Sequence, residues 1–154
     1  MRFPFNIRPL LGGWKFLFVD GRPFSPDPAR SAQWNRGAYL VNAASHCAEC
    51  HSPRNALGAI VEEQRFAGGP DVGGEGWVPN ITPKGRLADY SDDDLAWLLK
   101  TGDTPEGDSV GGSMRAVVLN TGQLSDEDRA AIVTYLKSLP PIEGPPRPER
   151  KQQQ

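Results

Sequence analysis

Few side chains here bind metals through sulfur or imidazole: the 154 residues include two Cys, two Met and two His. Two cysteines are too few for a disulfide scaffold. No stretch approaches the roughly 18 consecutive apolar residues of a membrane-spanning helix, so no transmembrane segment is expected in this chain. Positive charge is not in excess either: 17 basic against 19 acidic residues give a net charge of −2. A pI near 5.7 excludes the basic face of a nucleic-acid binder. The apolar run near the N-terminus does not read as a secretory signal either: Gly12-Gly13-Trp14 breaks it, and no small-residue cleavage site follows. No internal repeat is visible.

What is abundant is Gly, at 17, and Pro, at 15, high for a globular chain but below the range that marks disorder. The length fits one domain. Charge is unevenly spread. Residues 1–30 carry Arg2, Arg8, Lys15, Arg22 and Arg30 against Asp20 and Asp27, and residues 31–142 carry a net −6.

Residues 1–30 read as an irregular basic and aromatic leader or inter-domain strap. Pro4, Pro9, Pro23, Pro26 and Pro28 oppose a long helix. The apolar residues among them show no clear helical period. Packing on its own domain, docking another domain and anchoring at a membrane interface are three readings of this segment. Ser31 is a suitable N-cap for a helix reaching about Ala44, with Trp34, Ala38 and Val41 along one side. Residues 52–90 are Gly-rich without a period, and a loop of that length inside a domain usually wraps something. A second helix is predicted from Ser91 to Gly102, with Asp92, Asp93 and Asp94 in its first turn. A third runs from Ser125 to just before Pro140. Residues 143–154 read as a Pro-rich disordered tail.

Both cysteines lie in Cys47-Ala48-Glu49-Cys50-His51, the C-x-x-C-H pattern of c-type haem attachment. Two thiols at this spacing reach the two vinyl groups on one porphyrin edge as thioethers. The following His projects over the ring face towards the iron. A zinc site would need four ligands, and His46 is badly placed to complete a set with His51. A thioredoxin-like dithiol would need alternating strands and helices, which the pattern does not offer. For the opposite axial position His46 is too close in sequence to His51 and Met1 is terminal, leaving Met114, in Gly111-Gly112-Ser113-Met114. His/Met ligation raises the reduction potential and fills both axial sites, which suits one-electron transfer rather than chemistry at iron.

At this point the sequence resembles a class I cytochrome c domain over residues 31–142. More narrowly, it resembles the haem domains of multihaem cytochrome subunits that serve membrane-associated alcohol, gluconate and aldehyde dehydrogenases. Trp34-Asn35-Arg36-Gly37-Ala38-Tyr39, His46 to Asn55, Pro79-Asn80-Ile81-Thr82-Pro83 and Gly112-Ser113-Met114 carry the resemblance. It implies an all-α cytochrome c fold, with few short helices and Gly-rich loops around one covalent haem c. It implies an electron carrier rather than an enzyme, one unit of a longer multihaem protein, and a periplasmic location or one on the outer face of the cytoplasmic membrane. A dehydrogenase subunit, another cytochrome or an oxidase would be the redox partner. By the same resemblance the Pro53 carbonyl accepts from the His51 ring, Arg54 and Asn80 lie near the haem edge and propionates, and Trp77 and Trp97 pack on or near the porphyrin. Gly37 and Tyr135 match the small-against-aromatic crossing of the terminal helices. The alternative function is a haem enzyme or small-ligand sensor with an open or labile sixth position.

Overall fold

The structure, a computed structural model, describes residues 6–73 and 76–147. Six α-helices and one two-residue strand pair occur among them. The three helices expected from caps and periodicity form the frame. Helix α2 (Ala32–Tyr39) starts at Ser31, whose Oγ accepts the Trp34 N–H at 3.1 Å, and continues through a wide turn over Leu40–Ala44. Helix α4 (Asp92–Thr101) opens on a capping box in which Ser91 and Asp94 satisfy each other's backbone N–H, and it ends on Gly102 at φ 86°. Helix α6 (Asp126–Lys137) is capped by Ser125.

Helix α2 crosses α6 at Gly37. A Cβ there would lie 1.9 Å from the Ala131 carbonyl oxygen and 2.9 Å from Tyr135 Cβ, so only glycine permits this approach. Trp34 meets the Tyr135 ring edge-on, in keeping with the small-against-aromatic expectation. Lys137 ties α6 to α4 through Asp92 and to the Tyr90 carbonyl. The core between these helices is small. Leu40, Val41, Phe66, Tyr90, Leu95, Ile132, Val133, Tyr135 and Leu136 are its large aliphatic and aromatic members.

Three further helices lie outside the sequence-based expectation. Helix α1 (Arg8–Phe18) replaces the irregular leader. Pro9 occupies its second position, where the missing N–H has no intrahelical partner to lose. Ile7, Leu10, Leu11, Trp14, Leu17 and Phe18 recur at helical spacing. None of its residues is buried, but Trp14 Nε1 donates to the Leu57 carbonyl at 2.9 Å. Further along the leader, Asp27 exchanges two hydrogen bonds with the Asn35 side chain on α2. Helix α3 (Cys47–His51) is a single turn, and helix α5 (Met114–Thr121) starts at Met114, a residue that the sequence pattern assigns to a loop. Strand β1 (Gly69–Pro70) pairs antiparallel with β2 (Trp77–Val78). Two residues that composition assigns to the tail touch the domain: Gln64 donates to the Glu143 carbonyl, and Gly144 lies against Ala67. The expectations for residues 1–5 and 148–154 fall outside the described residues. No helix among the described residues is long and apolar enough to cross a membrane.

Candidate functional site

His46 sits at φ 53°, a left-handed conformation that His tolerates better than most residues. The chain turns there and starts α3 directly. Cys47, Cys50 and His51 are then i, i+3 and i+4 on one helical turn and share a face. Cys47 is half-buried against the core and Cys50 is exposed. Burial pushes the Cys47 thiol up to about 11, so it is protonated at neutral pH. Cys47 is therefore not the low-pKa nucleophile that marks a catalytic dithiol.

His51 is buried at 9% exposure and held twice. Its carbonyl accepts the Gly68 N–H at 2.8 Å. Its Nδ1 donates to the Pro79 carbonyl at 2.8 Å. Burial keeps the imidazole pKa below its ordinary value, against the opposing pull of that carbonyl, so the ring is neutral. With the proton on Nδ1, Nε2 presents a lone pair and makes no hydrogen bond among the described residues. That is the form a metal ligand needs.

The carbonyl partner corrects an expectation. The resemblance makes Pro53 the acceptor for His51, but the Pro53 carbonyl instead takes the Val61 N–H at 3.0 Å, at the base of the 54–60 loop. Pro79 reaches His51 because Gly68, at φ 76°, lets the 78–80 backbone lie against it. A Cβ on Gly68 would stand 2.6 Å from both Asn80 N and Val78 O. The segment Pro79–Pro83 stands out in the sequence, but nothing local tells which proline carbonyl faces the imidazole.

The remaining predicted residues divide. Arg54 folds back on α3: its Nη2 donates to the Glu49 carbonyl at 2.7 Å and to Glu49 Oε2, and its Nη1 to the Gly58 carbonyl. Its Nε is buried and has no partner. Asn80 is committed to the fold, donating to the Ile142 carbonyl and accepting from Thr82 N–H and Oγ–H. Trp77 lies half-buried on β2 opposite Pro70, and Trp97 is 56% exposed on α4. Met114 is half-buried at the start of α5, after the exposed Gly111, Gly112 and Ser113.

This donor set fits a covalent haem. Two thiols and an imidazole share one face, the imidazole is neutral with Nε2 open, and the buried Arg54 Nε finds no acceptor among the described residues. The described residues hold no group of three or more Cys, His, Asp or Glu side chains near enough for a metal site, so zinc finds no tetrahedron in them.

The cytochrome c family model matches residues 34–140. The chain is 48% identical over 143 residues to a diheme cytochrome c-type protein of Cereibacter sphaeroides, covering 93% of this chain and 47% of that protein. It is 43% identical to one of the subunits of nicotinate dehydrogenase from Pseudomonas putida, covering 96% of this chain and 12% of that one. It is 42% identical to the fructose dehydrogenase cytochrome subunit of Gluconobacter japonicus, covering 90% and 29%. The chain thus spans half or less of the length of these curated relatives. A match over 96% of the chain also takes in most of residues 1–30. The C-x-x-C-H turn, the buried neutral imidazole and the family match converge: the chain belongs to the cytochrome c family, whose work is electron transfer on covalent haem c rather than catalysis on a substrate.

Proposed function

We propose that this chain relays single electrons through one haem c, held by Cys47 and Cys50 with His51 and Met114 as axial ligands. The observation that carries the reading is the state of His51: buried, neutral, fixed through Nδ1 to the Pro79 carbonyl and open at Nε2. When bound, the haem supplies a one-electron couple whose potential His/Met ligation raises. The protein's part is to hold and insulate. The Cys47 and Cys50 thioethers fix the plate, Pro79 orients the imidazole, and Arg54 Nε stands ready to donate to a propionate. Cys50 is exposed, so an attachment edge lies at the surface where a redox partner can approach. Such encounters are small and transient.

The donor is a dehydrogenase subunit or another haem, and the acceptor a further cytochrome, an oxidase or a quinone site. Two relatives, one described as a cytochrome subunit and both as parts of a dehydrogenase, support this direction of flow. Covalent haem attachment, as proposed, supports a location in the periplasm or on the outer face of the cytoplasmic membrane. The relative described as diheme supports a place for this unit in a longer multihaem protein.

The test is spectroscopic. The oxidised protein should show the far-red charge-transfer band of Met-sulfur ligation, Met114→Ala should abolish it and lower the potential, and intact mass should show one added haem. Rapid carbon monoxide binding by the reduced wild-type protein would favour a sensor or enzyme with an open sixth position instead.

A further inference from the structure

We propose that the hydrogen bond between Tyr90 and Glu106 is the anchor that keeps Met114 in its ligating position, an inference that rests on the reading of Met114 as an axial ligand. The Tyr90 ring is in the core at 8% exposure, and its carbonyl accepts from Lys137 on α6. Its hydroxyl donates to Glu106 Oε2 at 2.7 Å, and Arg86 stands 3.6 Å from the other carboxylate oxygen.

Glu106 belongs to the loop that joins α4 to α5. That loop is closed at its base: Asp103 bridges Ser109, and the Val110 N–H donates to the Gly102 carbonyl at 2.8 Å. Within it, Thr104 N–H donates to the Asp108 carbonyl and Ser109 Oγ to Asp103. Among the described residues, the side chains of 103–110 reach one hydrogen-bond partner outside the loop, and it is Tyr90.

The far side of Met114 is fastened separately. Thr121 Oγ1 donates to the Leu99 carbonyl at 2.6 Å, and Arg129 donates to the Thr121 and Gly122 carbonyls. Between the two fastenings, Gly111, Gly112 and Ser113 are exposed, and a Cβ on either glycine would meet nothing within 4 Å. Met114 is therefore suspended between α5, latched at its far end, and a closed loop hooked to the core by one side-chain pair. Freeing the hook lets the loop swing and lengthens the time the sulfur spends off the iron.

Both partners hold the right protonation state at neutral pH. The Tyr90 hydroxyl keeps the Glu106 carboxyl below its usual range, and burial, followed by Glu106, raises the Tyr90 hydroxyl.

The test is imidazole titration of the ferric haem-loaded protein at neutral pH, because imidazole competes with the Met114 sulfur. Wild type must first show the far-red Met–iron band, and its absence would overturn both the Met114 reading and the anchor. With the band present, Tyr90→Phe and Glu106→Ala should each bind imidazole roughly tenfold tighter, the scale of one charge-assisted hydrogen bond. The double variant should bind no tighter than either single one, because both delete the same bond. Arg36→Ala breaks the ion pair to Asp128 elsewhere and should lower thermal stability with imidazole affinity unchanged. Affinities of both single variants within about twofold of wild type, with the band intact, would overturn the anchor alone. Should Tyr90→Phe fail to fold, Glu106→Ala alters an exposed side chain, removes the acceptor and decides the matter by itself.

Discussion

Gly68 makes its contribution by having no side chain. At φ 76° any L residue is strained, and a Cβ would lie 2.6 Å from two backbone atoms of the segment that delivers the Pro79 carbonyl. Gly68→Ala should therefore cost about 2 kcal/mol in guanidinium denaturation. In the haem-loaded protein it should also raise the reduction potential, because an imidazole released from Pro79 becomes a weaker donor to the oxidised iron. An unchanged potential would show that the carbonyl contact survives the substitution. The proposed ligand, His51, is legible in the sequence, because the two thiols and the imidazole fall in one C-x-x-C-H run whose spacing is covalent chemistry. Its orienting partner is not. Which of Pro53 and Pro79 faces His51 depends on Gly68 bringing two remote segments together, and adjacency in sequence favours the wrong proline. Arg54 shows the same limit: the resemblance sets its guanidinium near the propionates, and most of its donors are in fact spent on Glu49 and Gly58.

Helices α2, α4 and α6 are legible because each opens on a serine cap and carries an apolar period. Ser91→Ala removes half of the α4 capping box and should lower stability by about 1 kcal/mol, read as a shift of the denaturation midpoint at constant slope. The α2–α6 crossing is less forgiving. Gly37→Ala places a methyl 1.9 Å from the Ala131 carbonyl oxygen, both neighbours being helix backbone or Cβ. A loss of about 3 kcal/mol is expected, with the Trp34 environment changed in fluorescence. The helices that the sequence conceals lack such markers. Helix α5 has no side-chain cap and follows two glycines. Helix α3 is one turn, started by a left-handed His46 that no propensity announces. Helix α1 carries Pro9 and Gly12-Gly13, all unfavourable on propensity, yet its apolar residues keep a helical period that the prolines around it obscure.

At the scale of the whole molecule, a small core and many glycines leave the haem to organise the loops between helices. A chain with Cys47→Ala and Cys50→Ala should be largely unfolded by far-UV circular dichroism, and native helix content in that variant would refute this dependence. Acid acts through the carboxylates. Ser91 lowers the pKa of Asp94, Arg129 that of Asp126 and Arg36 that of Asp128. Each favours the fold while ionised, and that contribution fades as pH falls through the lowered folded values. This carboxylate contribution to thermal stability should hold from neutrality down to about pH 4 and decline below it, whereas in the haem-free chain the buried neutral His51 should already draw stability down as pH falls through about 6.5. The two fastenings of His51 bear on speed as well as strength. Moving an electron costs whatever rearrangement the change of charge demands. A ring gripped at its backbone carbonyl by Gly68 and at Nδ1 by Pro79 has nowhere to shift. With His51 as the proposed ligand, that side of the haem would add little to the activation barrier of exchange, because its dipoles are in place beforehand. If His51 holds the iron as proposed, distance to the partner rather than motion of this ring would then set how fast the electron crosses.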